Sequence, residues 1–372
     1  MFNRNKKSFA QFDWVLFLVT LLLCGLGLVA VRSATYRQDH SLSPILTQMI
    51  ATGLGIVVIF LFQWVDIDAL RKLAIPAYLL TLFLLVATLL FGFGMEQWGA
   101  DSWLKIGPVI FQPAEFAKLG IIFFLAWLLE RYRHRLNRPT TVLLLAAMMA
   151  VPVLLILKQP DLGTAATLIF LIAMMIFYAG IHWGYILAAL VLALIAIPLF
   201  YASLTETQQA RILNFLDPLR DPQNSNYQIL QGAIAIGSGQ LSGRGFLQGT
   251  QTQFGFIPEQ DTDYIFSVIA EEFGFIGGAF LILCYTILLV RMIRIARRAK
   301  DLFSALLVIG FAALFFIHVF ENIGMTIGLM PVTGIPLPLI SNGGTFQLLM
   351  LTGIGMTLSV ASQRKPLDFS AY

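Results

Sequence analysis

Apolar runs about 20 residues long recur along the whole chain, and no other feature constrains its fold so tightly. A helix needs about 20 such residues to cross the roughly 30 Å of hydrocarbon in a bilayer. In lipid only helices and closed barrels satisfy every backbone hydrogen bond. Ten stretches can be read, at about 13–31, 45–64, 74–93, 114–130, 140–157, 164–181, 184–203, 264–290, 303–329 and 344–361. Composition agrees: 58% of the 372 residues are hydrophobic and 12% charged, against about 25% charged in a soluble domain. The sequence therefore predicts an all-α polytopic membrane protein, a single membrane domain over residues 1–372. The first stretch, which follows Arg4, Lys6 and Lys7, has no clear small-residue cleavage site and reads as a retained helix.

Basic residues set the expected topology, because cytoplasmic loops carry an excess of Lys and Arg. Placing both termini in the cytoplasm puts 16 of the 24 basic residues inside. The long loop between spans 7 and 8, about 204–263, then lies outside the cytoplasm. There it cannot work on cytoplasmic nucleotides. Its glycines Gly237, Gly239, Gly243 and Gly245 lack the strand and βαβ unit of a dinucleotide site. Neither a Walker motif, an HExxH sequence nor a histidine cluster is present. The pI near 9.1 reflects topology rather than nucleic-acid binding, since the basic residues sit in short loops. Cys24 and Cys284 fall inside apolar spans, which argues against a disulfide framework or a cysteine metal site.

Within the long loop, FLDPLRDP (Phe215–Pro222) has turn chemistry, and Tyr227–Ile236 has the spacing of a short interfacial helix. Charged residues inside spans are costly and hence functional candidates. Glu115 and Lys118, three apart on the fourth span, share a helix face. They either compensate each other or line a polar cavity near Trp103 and Lys105. Asp161, in QPDLGT, either caps the next helix or faces that cavity. Glu271 and Glu272 point about 100° apart, so one of them is expected to meet a backbone or basic partner. Glu321-Asn322 is a third buried polar site. The stretch Pro331–Thr345 (PVTGIPLPLISNGGT) reads as a re-entrant turn, tolerated only where protein or a wet cavity surrounds it.

FQPAEFAK, QPDLGT, the block from FLDPLRDP to DTDYIFSVIAEE, and GIPLPLISNGG, in that order, resemble the SEDS family (shape, elongation, division and sporulation). The likeness runs from the first span to the last. The short N-terminal head and GTQTQFGFIPE are closer to RodA-type members than to FtsW-type ones. The resemblance implies a ten-span peptidoglycan glycosyltransferase of the bacterial cytoplasmic membrane. Such an enzyme polymerises lipid II on the extracytoplasmic face for cell-wall elongation and rod shape, with a class B penicillin-binding protein as partner. A lipid II flippase, an FtsW-type division polymerase or a non-catalytic scaffold for the partner are the rival readings. The chain departs from the family pattern at four points. Asp261 stands where the family has His of His-Thr-Asp, and Ser102 where it has Arg of Arg-Trp. Arg244 stands where it has Lys, and Asn342 where it has Tyr of Ser-Tyr-Gly-Gly.

The implied reaction joins a sugar hydroxyl to the anomeric carbon of a second lipid-linked disaccharide, with inversion and loss of undecaprenyl pyrophosphate. A weak hydroxyl nucleophile calls for a general base, and the pyrophosphate for cations or N–H groups. Asp263, at the junction of loop and eighth span, matches the family's essential aspartate and is the expected base; the plainer alternative is a helix cap. Glu259 and Asp261 should raise its pKa. The three acids could instead hold a divalent cation, Mg²⁺ or Mn²⁺. Arg244, Lys118 and Lys105 are expected to hold the pyrophosphate, Arg244 with a nest of glycine N–H groups around it. Glu115, Asp161, Trp103, Ser341 and Asn342 complete the expected substrate-binding set.

Overall fold

The computed structural model describes residues 11–36, 42–94, 101–106, 109–217 and 226–363. The basic head and tail used in the topology argument, and the Pro218–Pro222 part of the FLDPLRDP turn, lie outside them. The ten predicted spans are all helices. They are α1 (Trp14–Thr35), α2 (Ser43–Phe62), α4 (Ala74–Phe91), α5 (Pro113–Arg131), α6 (Pro139–Leu157), α7 (Leu162–Tyr178), α8 (Trp183–Ser203), α12 (Ile265–Arg297), α13 (Leu302–Thr326) and α14 (Gly344–Ser362). Between them sit the short helices α3 (Ile67–Lys72), α9 (Glu206–Leu216), α10 (Tyr227–Ser238) and α11 (Thr250–Gln253). A hairpin of β1 (Leu104–Ile106) and β2 (Val109–Phe111) precedes α5, with Leu104 opposite Phe111.

Starts and stops follow local chemistry. Proline stands in the first turn of α2, α5 and α6, where its missing N–H costs nothing. Asp13 caps α1 by accepting from the Leu16 N–H at 3.0 Å, and it also takes a bidentate bond from Arg291 of α12. Arg71 joins Glu130 at the end of α5 to Asp301, the cap of α13. These pairs tie together one end of the bundle, the end the basic residues place in the cytoplasm.

α13 is the axis of the molecule. It packs on α5, α7, α12 and α14, and its most apolar stretch is 83% buried, against 28% for α2, α4 and α6. Those outer helices present their apolar faces to lipid. No described side chain of α8 is buried. α12 has 33 residues, about 50 Å at 1.5 Å per residue, longer than the hydrocarbon. It breaks at Gly274, whose φ of 67° and ψ of −164° suit essentially glycine alone. The 24 residues from 274 onward are enough to span. The segment before the break carries Glu271 and Glu272.

A candidate active site under the outer turn

The stretch 331–342 is non-helical, as expected of a re-entrant turn, and it holds the segment Asp261–Asp263 in place. Ser341 Oγ donates to the Thr262 carbonyl at 2.5 Å and accepts from the Leu337 N–H at 2.8 Å. The Asn342 N–H donates to the Asp261 carbonyl, and its amide Nδ2 to Asp261 Oδ2, both at 2.8 Å. From below, Asn322 Nδ2 on α13 bonds the Asp263 carbonyl at 2.9 Å and the Ile335 carbonyl at 2.8 Å. Gln48 on α2 fixes the far end through the Ser341 carbonyl and the Gly343 N–H. Ser341 and Asn342 therefore act on the acidic triplet itself.

Asp263 is not the cap of α12. That position is Tyr264, with no side-chain cap, so the plainer reading of the aspartate falls away. Its Oδ2 stands in van der Waals range, 3.4 Å, of where a Cβ on Gly334 would be, and Gly334 has φ +71°, which favours glycine. A bare backbone thus forms the wall beside the carboxylate. Burial raises the Asp263 pKa from 3.8 to about 7, with Glu259 and then Asp261 adding to the rise and Arg211 opposing it. The two acids were expected to be the cause; removal of the carboxylate from water is the larger one. Arg211, exposed on α9, was missed because nothing in its local sequence points toward residue 263.

A second polar group lies deeper. Lys118 is only 1% exposed and donates to Glu115 Oε1 at 2.6 Å. The pair also reaches across to α13, where His318 Nε2 stands 3.0 Å from Lys118 Nζ. Glu321, one turn further along α13, is near enough to Lys118 and Asp161 to feel both charges. Asp161 does cap its helix, accepting from the Thr164 N–H at 3.0 Å, and its other oxygen accepts from Gln112 at 3.0 Å. Glu115 Oε2 and Glu321 Oε2 are buried without a hydrogen-bond partner. Glu115 and Lys118 thus pair with each other, the self-compensating alternative, and Asp161 caps its helix and bonds Gln112. His318 was missed: a single histidine in an apolar span gives no spacing signal, although 318, 321 and 322 share one helix face.

The glycine loop lies elsewhere, folded flat on α12. The Arg244 and Gly245 N–H groups donate to the carbonyls of Glu271 and Glu272 at 2.9 and 3.0 Å, and Gly243 N–H to Gly239. The expected anion nest around Arg244 is therefore absent, because those N–H groups already serve the loop. The Arg244 guanidinium is exposed and bonds the Ser238 carbonyl, about two helical turns along α12 from Asp263. Both glutamates prove to be loop anchors. Glu271 accepts from the Gln251 and Thr252 N–H groups at 2.8 and 2.9 Å and from Thr252 Oγ1 at 2.7 Å. Glu272 accepts from Ser33, Gln253 and the Leu247 N–H. Lys105 is exposed on β1, and Trp103 pairs with Phe93 through its backbone. Among the described residues no group of three His, Cys, Asp or Glu side chains stands ready for a metal. Asp261 is engaged by Asn342, and Glu259 by Thr262.

The chain has relatives in sequence and in fold. The FtsW/RodA/SpoVE family model, described as a cell cycle protein, matches residues 13–366. The chain belongs to that family. It is 36% identical to peptidoglycan glycosyltransferase MrdB of Escherichia coli K12 over 372 residues, 99% of each chain. It is also 36% identical to stage V sporulation protein E of Bacillus subtilis, covering 94% of this chain and 96% of that one. A chain from the structure "Structural coordination of polymerization and crosslinking by a peptidoglycan synthase complex" superposes with TM-score 0.81 at 33% identity, covering 95% of this chain and 98% of that chain. The rod shape determining protein RodA of Thermus thermophilus gives TM-score 0.71 at 32% identity, with the same coverage.

Two of the positions at which the sequence departs from the expected family pattern meet: Asp261 Oδ2 accepts from Asn342 Nδ2 at 2.8 Å.

Proposed function

We propose that this FtsW/RodA/SpoVE protein is a peptidoglycan glycosyltransferase of the RodA type, polymerising lipid II with Asp263 as general base. The observation that carries the assignment is Asp263, whose backbone carbonyl Asn322 holds beside the 331–342 turn and whose carboxylate is pushed up to about 7. A base is most effective when its pKa lies near the operating pH. The carboxylate takes the proton from the acceptor's sugar hydroxyl, whose oxygen attacks the anomeric carbon of the donor. The bond from that carbon to the pyrophosphate breaks, and the pyrophosphate leaves with the electron pair. Lys118, with two of its three N–H donors engaged, has one left for the developing anion, and Arg211 supplies a second cation at the Asp263 side. Arg244 is not assigned to the anion. If a Mg²⁺ or Mn²⁺ ion binds, the second carboxylate oxygens of Asp261 and Glu259, beyond those that Asn342 and Thr262 engage, would hold it with Asp263.

The names of the relatives support this reading, as does a structural counterpart from a complex that couples polymerization to crosslinking. We place the protein in the bacterial cytoplasmic membrane with the site on its outer face, working with a class B penicillin-binding protein and the elongation machinery. The test is Asp263→Asn in purified protein incubated with lipid II, with glycan strands resolved on a gel. No strands from a folded variant is the expected result. Normal strands would sink the assignment of the base, and lipid II translocation without strand synthesis by the unaltered protein would favour a flippase.

A further inference from the structure

His318 is fully buried in the middle of the chain's most enclosed helix, and it makes two directional contacts. Its Nδ1 lies 3.3 Å from the Pro336 carbonyl, which can only accept, so Nδ1 carries the hydrogen. Nε2 is then a bare lone pair, and the Lys118 ammonium donates to it at 3.0 Å. The neutral ring is therefore held in one tautomer by a carbonyl and used at its other nitrogen to aim a cation. The ring plane is fixed by a stack on Phe346, with centroids 5.1 Å apart.

Pro336 belongs to the turn that also carries Ser341 and Asn342, the residues that clamp Thr262 and Asp261. One turn along α13 from His318, Asn322 bonds both the Ile335 and the Asp263 carbonyls. Two neighbouring carbonyls of the 331–342 turn are thus gripped by two side chains four residues apart on α13. One of these leads to Lys118, the other to Asp263. We propose that His318 is a positioning residue that sets the place of the Lys118 ammonium relative to Asp263, so that both ends of the reacting pair are referenced to the same stretch of backbone. The proposal rests on the assignment of Lys118 to the pyrophosphate. It does not require His318 to touch substrate.

The experiment is a binding and turnover cycle in the full-length protein, with undecaprenyl pyrophosphate as the binding probe. His318→Phe keeps a ring for the Phe346 stack and removes both hydrogen bonds. His318→Gln keeps one donor and one acceptor at the end of the side chain. We expect the Phe variant to bind the probe about tenfold more weakly and to lose about 100-fold in kcat, as a displacement of about 1 Å can cause. The Gln variant should regain most of both. In a Lys118→Met background the Phe substitution should change probe affinity by less than twofold, because its effect passes through the lysine. An equal loss with and without Lys118 overturns the positioning role, as does a Gln variant that melts like the unaltered protein yet performs no better than Phe. If the Phe variant does not fold, the Gln variant decides alone: affinity more than tenfold weaker with an unchanged melt refutes the proposal. A Lys118→Met protein that binds the probe normally refutes the assignment of Lys118 itself, which is a separate failure.

Discussion

The Asp263 carboxyl makes a quantitative prediction about pH. With its pKa at about 7, about one tenth of the base is ionised at pH 6, so kcat/KM there should lie about tenfold below its plateau and fall tenfold per further unit. The causes of the rise rank burial first, then Glu259, then Asp261, with Arg211 opposing. Glu259→Gln should therefore lower the midpoint of the acidic limb, Asp261→Asn should lower it by less, and Arg211→Gln should raise it. Each exposed charge acts through screened solvent, so no single change should exceed about one unit. Even the double acid variant should keep a midpoint well above 3.8, because burial remains. Stability follows the same titration. The folded value lies above 3.8, so between about pH 4 and 7 the folded protein binds more protons than the unfolded chain, and stability falls as pH rises through 7. Asp263→Asn should accordingly melt higher than the unaltered protein at pH 8 and equally at pH 4. Initial rates of strand synthesis from pH 5 to 9, with melting curves at pH 4 and 8, are the measurements. A limb near pH 4, or one that moves the wrong way in the Arg211 variant, would refute the reasoning.

Four further outcomes are expected. Asp261→His, which loses the carboxylate that Asn342 holds, should lower the acidic limb, and adding Asn342→Tyr should recover most of any lost rate; equal rates in the single and double variants would count against a compensating pair. Replacing Glu115 and Lys118 together by Gln and Met should reduce strand synthesis about 100-fold, the loss typical of one electrostatic group, without moving the melt by more than a few degrees; full activity would mean the pair only compensates itself. Glu271→Gln should weaken the loop anchor by about 1.5–3 kcal/mol, read as faster hydrogen exchange at residues 251 and 252 while α13 stays protected. Gly274→Ala must place a Cβ 2.3 Å from the Gly243 nitrogen at a φ of +67°, so it should melt well below the unaltered protein; an unchanged melt would show that the break relaxes freely.

Most of the fold was legible because bilayer thickness sets helix length, and the ten apolar runs begin within about two residues of the helices they became. The Glu115–Lys118 pair and the Asp161 cap were legible from spacing and from the cost of charge inside or beside a span, whereas Asp263 was singled out by the family resemblance. Arg244 was misplaced for a physical reason: glycines leave N–H groups open only if no neighbour takes them, and the carbonyls of Glu271 and Glu272 do take them. The role of the adjacent glutamates was hidden because the apolar run gives no sign of the break at Gly274, which separates them from the rest of α12. His318 and Arg211 act through contacts with distant parts of the chain, and no local pattern announces those.

The anchoring of the outer loop by Glu271 and Glu272 also dictates an order of assembly. During synthesis the loop leaves the ribosome before the helix that holds it, so its N–H groups at 247, 251 and 252 first meet water and lipid headgroups. Only when α12 has been threaded and has turned at Gly274 do the two carboxylates come within reach. A chain halted just short of residue 271 would display the whole loop without its fastenings, open to a protease, and one continued through the two glutamates would be closed. The loop is thus fastened only after the helices before it have been made.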